Sequence, residues 1–300
     1  MLSIDDFKPL TLQDKSLFDN HYKKFPPFHS DQLFTTMISW NEYAHYHYTL
    51  IKNRLIIMTI INNQVQFRPP IGMHDREIFY QVLRLAKNVE SNYPLCLIDH
   101  TSKVYLTKNF PHLEFIPQRG YFDYVYLSSN LAKLEGEKFR KIRNRLNKFK
   151  NKNIYTSEDI SKENMAEIKK FLKRWCLWRD CKSDNLLKNE KKAIMYSMKH
   201  FFNLGLLGLV IRVNEKIEAI SVYEEMDDET VVIHYEKGSP YYDGIYKAIN
   251  QEVAERVFTR YRYINRESDM DIPGLRQAKM SYRPNHLIKV FAVNQKNLQL

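Results

Sequence analysis

Two stretches of the chain carry polar residues at spacings that suit chemistry on a small anionic or carbonyl group. The first is His234-Tyr235-Glu236-Lys237-Gly238, running into Tyr242-Asp243-Gly244-Ile245-Tyr246 and Asn250. Read as a strand end, a loop and a helix start, it offers free backbone N–H groups to an anion or substrate, and Gly244 permits close approach. His234 and Glu236 alternate with Tyr235 and so share one strand face. The second stretch is Asn265-Arg266-Glu267-Ser268-Asp269, then Gly274-Leu275-Arg276, Lys279, Ser281, Tyr282 and Pro284. On a helix Arg276 and Lys279 face the same way. Together they suit a phosphate or carboxylate, with arginine offering a bidentate fork. Glu267 or Asp269 is placed to position or deprotonate an amine. The same groups also fit a cross-sheet hydrogen bond at His234 and a structural ion-pair network.

A third polar feature is a basic helix. Between Glu137 and Lys152, Phe139, Ile142, Leu146 and Phe149 form one apolar stripe, and Lys138, Lys141, Arg145, Lys148 and Lys152 form a basic stripe beside it. Residues 138–152 hold eight basic residues and no acidic one. An amphipathic helix of this kind packs on the fold and shows its charge to an RNA, a phosphate or an anionic membrane surface, or simply to solvent.

The elements that position these residues follow from the hydrophobic pattern. In the first 120 residues, Ser30-Asp31 is expected to cap a helix bearing Leu33, Phe34, Met37, Ile38 and Trp40. Leu55–Ile61 and Val65–Phe67 read as a hairpin about Asn62-Asn63, closed by Arg68-Pro69-Pro70-Ile71-Gly72. Ile78–Val89 has helical spacing, whereas Leu95–Ile98 and Lys103–Leu106 read as short strands. Phe122–Leu127 is another. Helices follow from about Ser161 and from Leu186 to Phe202, separated by the polar stretch 179–184. Gly208–Val213, Ile217–Tyr223 and Thr230–Tyr235 form an antiparallel meander. A helix then carries Ile245, Ala248, Ile249, Val253 and Val257. Tyr261–Ile264 is a strand, a short helix ends near Lys279, and Leu287–Val293 closes as a strand.

Composition narrows the function classes. The chain has 300 residues, 44% of them hydrophobic and 27% charged, with enough apolar surface for a large core. Of the net charge of +11, residues 121–200 alone carry 20 basic against 10 acidic residues, which points to an anionic partner. Cys96, Cys176 and Cys181 suggest no disulfide framework, which fits a reducing, cytoplasmic location. MLSIDDFKPL lacks the pattern of a secretory signal. The most apolar run, Leu204–Val213, is too short to span a bilayer. His45 and His47 have no ligand-spaced partner, so no metal site is expected. Neither dinucleotide-binding nor phosphate-loop glycine patterns occur, nor does a nucleophile elbow.

The motifs, taken in order, resemble an uncharacterised bacterial family related to the C-terminal catalytic domain of phosphatidylglycerol lysyltransferase. The matching residues are Asp123-Tyr124-Val125-Tyr126, Leu131, Leu134, Gly136, Lys138-Phe139 and Arg143-Asn144 to Phe149, then His234-Tyr235-Glu236-Lys237, Gly244-Ile245-Tyr246, Asn250, Asn265-Arg266-Glu267, Asp269, Gly274-Leu275-Arg276, Lys279, Ser281-Tyr282 and Pro284. Ser30-Asp31, Phe34, Trp40 and Pro69-Pro70-Ile71-Gly72 fit upstream, so the likeness runs over roughly residues 25 to 293. It implies an α+β fold of two tandem acyltransferase-like domains of the GNAT superfamily with mixed, largely antiparallel sheets. Related enzymes use aminoacyl-tRNA or acyl-CoA as donor. The lipid-modifying members carry a large integral-membrane domain that has no counterpart here, so phosphatidylglycerol is not the expected acceptor. Ile142 stands where the family often has another basic residue.

The reading is therefore a supporting domain over residues 1–120 and a domain with the active site over 121–300. The second domain would transfer an acyl or aminoacyl group to an amine or hydroxyl. Glu236, Glu267, Asp269 and His234 are the catalytic candidates. Lys237, Tyr242, Gly244, Tyr246, Asn250, Asn265, Arg266, Arg276, Lys279, Ser281 and Tyr282 are candidates for binding donor or acceptor. Lys138, Lys141, Arg143, Asn144, Arg145 and Lys148 would guide a tRNA acceptor stem or a CoA phosphate, or touch anionic lipid peripherally. The alternatives are an acyl-CoA N-acetyltransferase and a non-catalytic module that binds RNA or an anionic membrane through its basic face.

Overall fold

The computed structural model describes residues 1–181 and 184–298. The chain divides into two compact units, each with its own seven-stranded sheet. Among the described residues, one unit comprises 1–123, 268–271 and 288–298, and the other 124–267 and 272–287. The division is thus not a single cut at residue 120, because the C-terminal residues return to the first unit.

In the first unit the chain runs β1 (Lys8–Pro9), α1 (Lys15–Tyr22), α2 (Phe34–Ser39), α3 (Asn41–Ala44), β2 (His47–Ile51), β3 (Arg54–Ile61), β4 (Gln64–Phe67), α4 (Arg76–Lys87), β5 (Leu95–Ile98), α5 (His100–Asn109) and β6 (Ile116–Pro117). The strands β2, β3 and β4 form an antiparallel meander, α4 crosses over, and β5 lies parallel to β4. Asp75 starts α4 by accepting hydrogen bonds from the amides of Glu77 and Ile78. Ile78, Phe79, Val82, Leu83 and Ala86 then pack into the core of that unit.

Three expectations fail in this unit. Ser30 and Asp31 do not cap α2. Ser30 instead donates its amide and its hydroxyl to the Asp123 carboxylate, both at 2.8 Å, inside a short 3-10 turn. Lys103–Leu106 lies in α5 rather than in a strand. Asp99 accepts from the Ser102 amide at 2.8 Å, and buried Ser102 and Leu106, four residues apart, define one helix face. The final strand, expected over Leu287–Val293, is two strands, one in each sheet.

The second unit continues with β7 (Asp123–Leu127), α6 (Ser128–Lys133), α7 (Arg140–Lys152), β8 (Tyr155–Asp159), α8 (Met165–Trp178), α9 (Asn185–Lys199), α10 (Phe201–Leu204), β9 (Leu207–Val213), β10 (Lys216–Glu225), β11 (Thr230–Gly238), α11 (Ile245–Val257), β12 (Tyr263–Asn265), α12 (Pro273–Ser281) and β13 (His286–Ile288). The chain ends with β14 (Phe291–Val293) in the first sheet. Of the stretch 179–184 expected between α8 and α9, Lys182 and Ser183 lie outside the described residues.

The second unit repeats the topology of the first. The meander β9-β10-β11 is followed by α11 and then by β12, parallel to β11. The apolar stripe of α7 (Phe139 on its lead-in turn, then Ile142, Leu146 and Phe149) packs with Ile245, Ala248, Ile249 and Val253 of α11 and with the meander. Two mixed, largely antiparallel sheets flanked by helices are the α+β architecture expected for tandem acyltransferase-like domains.

One more expectation is overturned here. The turn after α8 brings the Cys181 amide to the Cys176 carbonyl at 3.1 Å, and the two cysteines, with Cα atoms 5.2 Å apart, form a disulfide. A pairing across so short a loop follows from that turn, which the cysteine spacing does not announce. Cys96 is buried and free.

Candidate active site

The site grows out of an interruption in the second sheet. Parallel pairing of β11 with β12 lasts three residues, from Thr230↔Tyr263 to Val232↔Asn265. Beyond it β11 continues to Gly238 along β10, while the other chain turns away at Arg266 and Glu267. The turn is built locally. The Asn265 side chain accepts from the Glu267 amide at 2.8 Å, and Glu267 has a left-handed backbone (φ 56°). The Arg266 amide donates to the Tyr124 carbonyl of β7 at 2.9 Å. Buried Lys279 of α12 donates its ammonium to the carbonyls of both Arg266 and Glu267. Lys279 and Asn265 thus hold the backbone that aims Arg266. Lys279, expected to share an anion with Arg276, is engaged with these carbonyls instead.

A bulge in β10–β11 sorts the polar residues of β11. Val222 pairs with Tyr235 and Tyr223 with Ile233, so His234 is the extra residue. The expectation that His234 and Glu236 share a face fails for this reason. His234 lies between two carboxylates, with Nδ1 2.8 Å from Glu267 and Nε2 2.9 Å from Glu224. Burial opposes its charge, but the hydrogen bonds and charges of Glu224 and Glu267 outweigh burial and push it up to about 10. It is an imidazolium at neutral pH, with neither nitrogen free to take a proton.

Glu236, opposite Ser221 in the ladder, faces the gap. One of its oxygens accepts from Asn250 of α11 at 3.1 Å and the other forms an ion pair with Arg266. The Arg266 guanidinium lies over the rings of Tyr282 (4.8 Å to the centroid) and Tyr126 (5.8 Å). Burial works against its charge, but the Glu236 carboxylate outweighs burial and keeps the guanidinium protonated. Several polar atoms here are buried and have no hydrogen-bond partner among the described residues: Nε and Nη1 of Arg266, Oδ1 of Asn250 and Oγ of Ser221. Such atoms are costly to bury unless a ligand or water meets them. As a set, donors on Arg266 and an acceptor on Asn250 fit a molecule that bears a carbonyl or anionic oxygen beside an N–H or O–H group.

Sequence reasoning passed over two members of this cluster. Lys247 lies three residues before Asn250 on α11, with Nζ 4.5 Å from the centroid of Tyr282. Burial and the nearby charge of Arg266 lower it to about 8, with Arg145 adding to the effect and Glu236 opposing it. Helical spacing from Asn250 was the signal that could have found it. Ser221 depends on strand register, which no local pattern encodes.

Other expected residues are held elsewhere. Asp269, fully buried, pairs with Arg119 at 2.9 Å and accepts from the Asp271 amide, within the first unit. Lys237 is buried on the opposite side of β11, paired with Glu190 at 2.7 Å over the Trp175 ring. Tyr246 is exposed, and its hydroxyl accepts from the Trp175 indole at 3.3 Å. Tyr242 packs against the core, and the Ser281 hydroxyl donates to the Ala278 carbonyl. Among the described residues no group of three or more His, Cys, Asp and Glu side chains is placed to hold a metal ion.

Lys138, on the turn leading into α7, and Lys141, Asn144, Arg145 and Lys148 on α7 are exposed. Arg145 and Lys148 also flank Asp243, at 3.6 and 3.0 Å. Arg143 differs, since it caps α6 by donating to the carbonyls of Leu134 and Gly136. Gly244 serves packing rather than ligand approach. Its φ is 96°, and a Cβ there would sit 2.6 Å from the Arg145 carbonyl oxygen and 2.9 Å from Cβ of Phe149. Gly244→Ala is expected to cost about 2–5 kcal/mol through backbone strain and overlap with a rigid helix. A melting curve will show it, and an unchanged midpoint would mean that α7 and α11 do not meet this closely.

This geometry can be compared with known proteins. The sequence matches the family described as phosphatidylglycerol lysyltransferase, C-terminal, over residues 22–294, and the chain belongs to that family. Among solved structures it is similar to a conserved protein of unknown function from Bacteroides thetaiotaomicron, at 31% identity and a TM-score of 0.88 over 96% of this chain and 99% of that one. It shares its fold with L-PGS from Bacillus licheniformis, at 13% identity and a TM-score of 0.65 over 94% and 92% of the two chains. FemX gives 10% identity and a TM-score of 0.58 over 97% and 98%. No curated protein matches the sequence. Among the described residues no helix is long and apolar enough to cross a membrane.

Proposed function

We propose that the second unit is a transferase that moves an acyl or aminoacyl group to an amine or hydroxyl, with the donor held in the gap between β11 and β12. The observation that carries this reading is the set of buried, unpartnered polar atoms on Arg266 and Asn250 beside a residue, Glu236, that fixes both. Arg266 receives the donor carbonyl oxygen and stabilises the charge that develops on it during attack. Glu236 is a positioning residue here: both its oxygens are engaged, and it holds the guanidinium in place. Asn250 offers its carbonyl oxygen to an N–H or O–H of the donor.

Membership of a lysyltransferase family supports an aminoacyl donor, and the exposed cations of α7 supply phosphate contacts for a tRNA acceptor stem. An acyl-CoA donor is the second reading, supported by the same carbonyl-accepting geometry.

Ligand-induced thermal stabilisation separates the readings, since a ligand bound to the native state raises its apparent stability. Acetyl-CoA, CoA, aminoacylated tRNA and uncharged tRNA are compared at two salt concentrations. A shift on the order of 5 °C with charged tRNA alone, at about a hundredfold excess over Kd, is expected. A salt-tolerant shift with acetyl-CoA moves the assignment to the acyl-CoA reading. Equal, salt-sensitive shifts with both tRNAs leave an RNA-binding module and contradict the transferase.

A further inference from the structure

The gap holds one basic group that makes no hydrogen bond or ion pair among the described residues. Lys247 is the third residue of α11 and shares the helix face of Asn250. Its Nζ and the guanidinium of Arg266 lie over the same ring, Tyr282, at 4.5 and 4.8 Å. The other groups that could take a proton are engaged. Glu236 is bonded to Asn250 and Arg266. Glu267 is bonded to His234, and His234 carries its own proton between two carboxylates. Asp269 is paired with Arg119 in the other unit.

We propose that Lys247 is the general base of this site, taking the proton of the attacking amine or hydroxyl while Arg266 receives the oxyanion. The inference rests on the transferase reading above. The nucleophile's lone pair forms the new bond to the donor carbonyl carbon, the carbonyl π electrons move to the oxygen beside Arg266, and the released proton passes to the neutral Nζ. On collapse, the bond to the leaving oxygen or sulfur breaks, and that atom takes the proton back from the Lys247 ammonium. The step needs no further reactant.

The surroundings give the amine a neutral form to use. Burial, Arg266 and Arg145 disfavour its charge, Glu236 favours it, and Tyr282 presents a ring face. A lysine held near 8 beside a second cation is activated in the manner of other desolvated catalytic lysines.

Two measurements test the proposal. Competitive acetylation with trace acetic anhydride, read by peptide mass spectrometry from pH 6 to 11, is expected to give Lys247 a midpoint near 8. A lysine model peptide in the same reaction serves as the reference, with a midpoint of about 10.4. In the second, wild type, Lys247→Gln and Lys247→Arg are mixed with alanyl-tRNA or acetyl-CoA, with hydroxylamine as acceptor, and hydroxamate formation is followed. The wild-type rate is expected to rise with a midpoint near pH 8. Both variants should lose about a hundredfold or more in rate yet still be stabilised by the donor. A labelling midpoint near 10, or variants that match the wild-type rate, overturns the role of Lys247. A wild type that discharges neither donor overturns the transferase reading itself, and with it this inference; the two failures differ in whether the wild type turns over.

Discussion

Replacing Arg266 by methionine is expected to destabilise the second unit by about 3–5 kcal/mol and to abolish donor binding. The first effect follows from what remains. Glu236 is only 11% exposed, and without the guanidinium its charge is buried with Asn250 as its remaining hydrogen-bond donor. Removing one partner of a buried ion pair costs that much because the other stays charged and desolvated. The second effect has a different origin, since the free Nε and Nη1 atoms are the donors assigned to the ligand. The two are separable. In Arg266→Met/Glu236→Gln the stranded charge is gone, so urea denaturation should show most of the stability restored. Donor binding should remain lost. If the double variant binds as the wild type does, Arg266 is a structural cation and the site lies elsewhere.

His234→Gln has an effect of similar size but a distinctive pH signature. At neutral pH the imidazolium neutralises Glu224 and Glu267, which are 15% and 29% exposed. Its removal should cost about 3 kcal/mol, toward the low end for a broken buried pair because Glu267 keeps some water. The native value near 10 lies above the ordinary histidine range, so the native state holds a proton that the unfolded chain has released. The stabilisation is complete below about pH 6.5 and is lost as pH rises toward 10, with a slope of up to about 1.4 kcal/mol per pH unit. In the variant this slope should vanish over the same window. Chemical denaturation at pH 6, 8 and 10 checks it. A wild type that gains stability from pH 6 to 10 would show that His234 is held neutral.

How much of this was legible in the sequence depended on whether the deciding interactions were local. The two stripes of α7, the meander β9-β10-β11 and the hydrophobic face of α11 follow from spacing within one segment, and all are present. The polar residues of the site were visible as types, but their partners were not. Glu236 meets Arg266 thirty residues away because β12 returns parallel to β11 and then leaves it. His234 parts from Glu236 because of a one-residue bulge, which an alternating pattern cannot encode. Lys247 reads as an ordinary helix lysine until α11 is set against Arg266 and Tyr282. The misread strand at Lys103–Leu106 has the opposite cause. Its helix signal, Asp99 three residues before Ser102, was local and was overlooked.

The measurement closest to the central claim is donor binding to Arg266→Lys, followed by calorimetry with whichever of aminoacylated tRNA or acetyl-CoA stabilises the wild type. Lysine keeps the charge that neutralises Glu236 but cannot place donors at the Nε and Nη1 positions of the guanidinium. If the gap between β11 and β12 holds the donor, Arg266→Lys stays folded and binds at least tenfold more weakly, about 1.4 kcal/mol. Charge reversal at Lys141 should then weaken binding mainly at low salt. A folded Arg266→Lys variant that binds with wild-type affinity would contradict the assignment of this site.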